Sequence, residues 1–174
     1  MKKLYLILVL VAVCGFVYYL LSNEKLYGND EESIIQVIKS IEGYEAGTVE
    51  LLEVKDIGKD RFVSFLYNNS PAYIQFVQNS RKDYEWRHVE KSEGEFFASY
   101  LPNISDGGPL KFLIVTNEDN NVARLELNVN GHIIEAEFPE NQKYVSWISL
   151  PKSNGSYTFA YKYFDKYGNL IEEL

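Results

Sequence analysis

The sequence predicts an N-terminal transmembrane helix followed by a mainly-β (α+β) ectodomain. Three observations support this fold class: a charge-free apolar run near the N-terminus, one stripe of apolar residues at helical spacing, and alternating apolar residues from Thr48 onward. Turn residues such as Gly, Asn, Asp and Pro separate the alternating segments. The ectodomain is therefore predicted to be a helix on an antiparallel meander plus a C-terminal immunoglobulin-like β-sandwich.

Residues 1–21 are predicted to form an uncleaved transmembrane anchor. Leu4–Leu21 contains no charged residue and no proline. A helix of roughly 18 residues rises about 27 Å, which is close to the hydrocarbon core of about 30 Å. A cleaved signal peptide is disfavoured because its apolar core is shorter and ends in a small-x-small site. A lipoprotein processed at Cys14 is disfavoured because Val13, rather than a small residue, precedes the cysteine.

Charge predicts the orientation of the anchor and limits the partners of the ectodomain. Lys2 and Lys3 favour a cytoplasmic N-terminus, so the predicted location is the cell membrane, single-pass, with the C-terminal domain extracytoplasmic. The net charge of the chain is −8. Nucleic-acid binding and a domain lying on anionic lipid are disfavoured, since both need a positive surface. The only cysteine lies in the anchor, so the ectodomain is expected to have no disulfide.

Residues 22–30 are predicted to be a linker, and residues 31–102 an α+β subdomain. Asp30 is expected to cap a helix ending at Gly43, with a buried stripe formed by Ile34, Ile35, Val37, Ile38 and Ile41. This stripe is expected to pack on the domain's own sheet. The strands predicted to follow are Thr48–Val54, Phe62–Tyr67, Ala72–Val77 and Tyr84–Glu90. Glu95–Leu101 fits either a short helix or an edge strand.

A subdomain boundary is predicted at residues 102–109, where two prolines and two glycines fall within eight residues. Residues 109–174 are predicted to form the β-sandwich. Asn130-Gly131 predicts a tight hairpin in which Leu125 and Leu127 pair with Ile134 and Ala136. The strands expected in this part are Lys111–Thr116, Val122–Val129, His132–Phe138, Tyr144–Leu150, Tyr157–Phe164 and Asn169–Glu172.

Several segments also resemble a group of small uncharacterised proteins from spore-forming Gram-positive bacteria, which are N-terminally membrane-anchored and extracytoplasmic. The resemblance implies a bacterial surface location and transfers no activity or catalytic residue. Its motifs are strands and turns: Tyr73–Phe76, Tyr84–Glu90, Phe112–Asn117, Val129–Gly131 and Tyr161–Asn169.

Motifs for catalysis, cofactor binding or metal binding are not found in the sequence. There is no G-x-S-x-G, and the S-x-x-K match at Ser22–Lys25 lacks the companion motifs of penicillin-binding enzymes. His88 and His132, the only histidines, are expected to be half-exposed strand residues. Asn117–Asn121 lacks the glycine of a calcium-binding loop. No catalytic residue, metal ligand or cofactor is therefore predicted.

Aromatic residues are the most suggestive feature for binding. Tyr84, Trp86, Tyr161 and Tyr163 lie on predicted strands at alternating positions. Exposed together, they would bind a glycan or peptide by stacking, whereas buried rings would be ordinary core.

The sequence predicts a membrane-anchored extracytoplasmic binding or interaction module rather than an enzyme. Its ligand would be a cell-wall polymer or another envelope protein. One alternative is an envelope hydrolase whose unrecognised cleft gathers a histidine with carboxylates. Another is an accessory subunit of a membrane complex that acts through residues 1–21.

Overall fold

The computed structural model describes residues 25–153 and 155–173, together with Val13. Apart from Val13, the predicted anchor at residues 1–21 lies outside these residues. Within the described part of the chain, no helix has the length and apolar character needed to cross a membrane. The described residues form antiparallel sheets and one short helix, which confirms the prediction of a mainly-β fold.

Within residues 25–153 and 155–173, the chain order is one helix followed by eleven strands. The helix α1 covers Glu31–Ser40. The strands are β1 Val49–Ile57, β2 Asp60–Tyr67, β3 Ser70–Gln78, β4 Tyr84–Lys91, β5 Phe97–Tyr100, β6 Lys111–Thr116, β7 Arg124–Val129, β8 His132–Glu137, β9 Tyr144–Ser149, β10 Phe159–Phe164 and β11 Leu170–Glu173.

The helix α1 begins with the predicted cap. The Asp30 carboxylate accepts a hydrogen bond from the Ser33 amide at 2.8 Å, and the Ser33 hydroxyl accepts one from the Asp30 amide at 3.0 Å. Ile34, Val37 and Ile38 are buried, so the stripe faces the protein, as predicted. The helix ends at Ser40 rather than at Gly43, because Ile41 already has extended backbone.

The first sheet is a meander in the order β1-β2-β3-β4. Asn68 and Asn69 turn β2 into β3, with φ values of 48° and 67° that asparagine tolerates better than most residues. The four strands overlap the four predicted ones. Asp60, which precedes the predicted second strand Phe62–Tyr67, is the first residue of β2 and is fully buried.

The remaining strands form a three-stranded sheet, β5-β6-β9, and a four-stranded sheet, β11-β10-β7-β8. Leu125 pairs with Ala136 and Leu127 with Ile134, which confirms the predicted hairpin. The ambiguous segment Glu95–Leu101 contains the strand β5. This strand pairs with β6, so neighbouring strands of one sheet lie on either side of residues 102–109.

These elements stack in four layers: α1, the first sheet, the three-stranded sheet and the four-stranded sheet. Three apolar clusters fill the spaces between successive layers. The three-stranded sheet is buried on both faces, because Leu113 and Val115 face the first sheet whereas Phe112 and Ile114 face the four-stranded sheet. This double burial explains why β6 reads as a continuous apolar run.

Candidate functional site

Two of the four predicted binding aromatics, Tyr84 and Trp86, lie on β4 at the edge of the first sheet. Trp86 is 45% exposed and pairs with Phe76, which packs under α1. The Arg61 guanidinium lies 3.9 Å from the centre of the Tyr84 ring. The Tyr84 hydroxyl donates to the Asp56 carboxylate at 3.2 Å, and burial raises the pKa of Tyr84. Tyr84 is therefore held by an intramolecular cluster.

The other two, Tyr161 and Tyr163, lie on β10 and face the space between the three-stranded and four-stranded sheets. Their rings are 6.4 Å apart and nearly parallel. Tyr163 is buried, and this burial raises the pKa of its hydroxyl. The four predicted aromatics thus belong to two separate sheets and do not form one surface.

The structure instead brings polar residues together in an open cleft of about 560 Å³ beside β3 and β4. The strand β3 supplies the floor and β4 one wall, while the segment after β5 supplies the opposite wall. The lining residues are Tyr73, Gln75 and Val77 from β3, Arg87, His88 and Glu90 from β4, and Leu101, Asn103 and Ser105 from the segment after β5.

The buried Asp60 carboxylate holds the two sides of this cleft together. It accepts hydrogen bonds from the Gln75 side-chain amide at 2.8 Å and from the Ser105 backbone amide and hydroxyl, both at 2.7 Å. Gln75 also donates to the Asn103 carbonyl at 2.7 Å. A buried carboxylate needs such donors to offset the loss of hydration. Asp60 therefore fixes the wall at residues 103–105 to the sheet.

His88 is the only histidine at the cleft. Its side chain is about half exposed, and Nε2 lies 3.4 Å from a Glu90 carboxylate oxygen. Its ring packs 5.6 Å from the ring of Tyr73, and burial raises the pKa of Tyr73, which keeps that phenol neutral. His88 is thus a surface hydrogen-bonding group supported by a buried aromatic ring.

The geometry at Ser105 differs from that of an activated serine nucleophile. A catalytic serine donates its hydroxyl proton to a histidine, which in turn is oriented by a carboxylate. Here the Ser105 hydroxyl donates directly to Asp60. Within residues 25–153 and 155–173, no three His, Cys, Asp or Glu side chains come close enough to hold a metal ion. The chemistry available at this cleft is hydrogen bonding from both donors and acceptors.

His132 is exposed at the start of β8, in the four-stranded sheet, and does not line the cleft. Sequence reasoning missed Asp60, Gln75, Asn103 and Ser105 as cleft residues. The available signal was weak: a polar glutamine within the apolar strand β3, next to residues that pack in the core.

Comparisons with protein-family models, with curated proteins and with solved structures gave no significant match to this chain. The geometry of the cleft is therefore the basis for inferring the function of the chain.

Proposed function

We propose that this protein is a single-pass membrane protein whose extracytoplasmic domain binds a hydroxyl-rich polymer of the cell wall. The anchor at residues 1–21 and the cytoplasmic N-terminus rest on the sequence argument from Lys2, Lys3 and the apolar run. The ligand class rests on the cleft. No cofactor takes part in this proposal.

The observation that carries the proposal is the polar lining of the cleft, which offers both hydrogen-bond donors and acceptors. Arg87, His88 and Glu90 stand along one wall, and Asn103 stands on the other. A sugar hydroxyl both donates and accepts, so neighbouring hydroxyls pair well with a lining that offers both donors and acceptors. A few fixed polar groups around a largely preformed hollow are typical of binding sites.

The position of Asp60 supports binding to a preformed surface. The wall at residues 103–105 is already fixed by two hydrogen bonds from Ser105 to this carboxylate and by one from Gln75 to the Asn103 carbonyl. A fixed wall loses little conformational freedom when a ligand binds, and this improves affinity.

We also propose that strands β5–β11 are an immunoglobulin-like sandwich that serves as the scaffold. The first, second and fifth strands of this set (β5, β6 and β9) form one sheet. The seventh, sixth, third and fourth strands (β11, β10, β7 and β8) form the other. In the constant-type immunoglobulin arrangement, the fourth strand belongs to the first of these sheets. The proposed variant differs by this one strand, β8, which pairs with β7.

The test measures binding of the full chain, in mild detergent, to purified cell-wall polysaccharide by sedimentation or calorimetry. His88→Ala is expected to weaken binding about tenfold, because one well-placed hydrogen bond is worth about 1.4 kcal/mol. His132→Ala is the matched control: it removes another exposed histidine, but one on a different sheet. Equal binding by both variants, or no binding by the wild type, would contradict the proposal.

Two further measurements address the alternatives. Release of soluble sugar from the polymer, abolished in His88→Ala, would support the envelope hydrolase instead. Loss of cellular function when residues 4–21 are replaced by an unrelated transmembrane helix would support the accessory subunit. Retention of function after that replacement supports the binding module.

A further inference from the structure

A second hollow lies beside Lys25 and Leu26. It has a volume of about 480 Å³ and opens beside α1 and β4. Two apolar side chains on it are unusually exposed: Trp86 at 45% and Leu26 at 40%. The other lining residues are Lys25, Val37, Ser40, Glu85 and Arg87. We call Lys25, Leu26, Trp86 and Arg87 the Trp86 patch.

The residue types of the Trp86 patch are those that are common at membrane interfaces. Tryptophan concentrates at the headgroup level, because its ring is apolar and its N–H is polar. Lysine and arginine reach from such a position toward phosphate groups, while their aliphatic stems cover apolar surface. The Lys25 side chain is 60% exposed. Its ammonium pairs with Glu85 at 2.8 Å and lies 5.9 Å from the centre of the Tyr27 ring.

Chain length keeps this patch near the membrane if the anchor ends at Leu21. Only Ser22, Asn23 and Glu24 separate Leu21 from Lys25. Four residue steps reach at most about 14 Å, even when fully extended. The headgroup layer of each leaflet is roughly 5–7 Å thick, because the whole bilayer is about 40–45 Å and its hydrocarbon core about 30 Å. Lys25, and the patch that it lines, therefore lies within a short distance of the lipid headgroups.

We infer that the Trp86 patch rests in the headgroup layer of the membrane that holds the anchor. The inference depends on the proposed anchor. The net charge of −8 argues against free association with anionic lipid. A tethered patch needs only weak attraction, because the anchor supplies a high effective concentration of membrane. The partner is thus a phospholipid surface, bound through one exposed indole, one leucine and the Arg87 guanidinium, while Lys25 is paired with Glu85.

The contact would also orient the polar cleft. Arg87 lines both the Trp86 patch and the cleft. One mouth of the cleft then opens close to the membrane surface, so the ligand would be the membrane-proximal part of the wall polymer.

The test uses the full chain in phosphatidylcholine vesicles with lipids brominated either near the headgroup or near the end of the acyl chain. The chain has two tryptophans, so Trp147→Phe leaves Trp86 as the only indole. We expect at least twofold stronger quenching of Trp86 by the shallow bromine than by the deep one. Trp86→Phe is the matched control: Trp147 is partly buried and bonded to Glu53, and its emission should be unchanged by either lipid.

Flotation of the vesicles distinguishes a failure of the proposed anchor from a failure of this inference. A chain that does not float with the lipid overturns the anchor, and with it this inference. A chain that floats but whose Trp86 is quenched by aqueous acrylamide and not by brominated lipid keeps the anchor and overturns the inference. If Trp147→Phe does not fold, the difference between wild type and Trp86→Phe gives the same quantity.

Discussion

Replacing Asp60 by alanine tests whether one buried carboxylate holds the cleft wall. The side chain is fully buried on β2, far in sequence from Ser105, to which it is bonded. Asp60→Ala removes the acceptor of three hydrogen bonds, two from Ser105 and one from Gln75. The wall would lose its main attachment to the first sheet.

The size of the effect follows from one destabilising contribution, the lost hydrogen bonds, and from two contributions that offset it. Hydrogen bonds to a charged acceptor contribute about 1.5–3 kcal/mol each, so three contribute roughly 4.5–9 kcal/mol. Removing the carboxylate also relieves a desolvation cost of several kcal/mol. Ser105 is exposed, so water replaces part of its lost bonding, and Gln75 keeps its bond to the Asn103 carbonyl. We therefore expect a net loss of about 3 kcal/mol in the free energy of unfolding.

The assay is urea unfolding of the full chain in mild detergent, followed by tryptophan fluorescence. With a slope of about 2 kcal/mol per molar urea, the expected loss lowers the midpoint by about 1.5 M. Asp106→Ala is the matched control, because its exposed carboxylate accepts one weak bond from the Lys59 amide at 3.3 Å. A shift for Asp60→Ala no larger than that of Asp106→Ala would refute the reasoning. The Asp60→Ala variant should also bind cell-wall polysaccharide more weakly, because Asp60 fixes the side of the cleft that carries Asn103.

Two further predictions concern packing and pH. Gly28→Ala should lower the free energy of unfolding by about 1–3 kcal/mol in the same urea assay, because the added methyl group would overlap the buried Phe76 ring. Gly155→Ala, where an added Cβ has nothing within 4 Å, should change it little, and equal shifts would contradict the packing argument. A hydrogen bond from Arg61 holds the pKa of Asp56 below its ordinary value of 3.8. The pair thus stabilises the fold above that pH and progressively less as the pH falls through the lowered pKa. Urea midpoints measured from pH 6 to pH 3 should fall less steeply for Asp56→Asn than for wild type, and parallel curves would show that the pair contributes nothing.

Local patterns were sufficient to predict most strands. Asn130-Gly131 predicted a hairpin with its register, because two residues at positive φ leave little choice of turn. Asp30 predicted the start of α1, because its carboxylate can cap the first turn of a helix. The segment Glu95–Leu101 was ambiguous, because β5 is only four residues long and depends on pairing with β6.

The cleft could not be predicted from local patterns, because its walls are distant in sequence. His88 and Ser105 line one cleft only after the three-stranded sheet has packed on the first sheet. Asp60 had the appearance of a turn residue, since it follows Gly58-Lys59. Its role depends on Gln75 and Ser105, and no spacing rule connects these three. The predicted aromatic surface divided between two sheets for the same reason.

The double burial of the three-stranded sheet has a consequence for the order of folding. A nascent chain that ends after β4 can form α1 and the whole first meander through short-range contacts. The opposite face of that meander, with Phe62, Leu66 and Tyr73, stays uncovered until β5, β6 and β9 are present. The strand β9 ends at Ser149, so most of the chain must be synthesised before this face is protected. We therefore expect a chain that ends after β4 to be prone to aggregation through this apolar face. A chaperone that shields this face should raise the yield of the protein more than one acting on the second half.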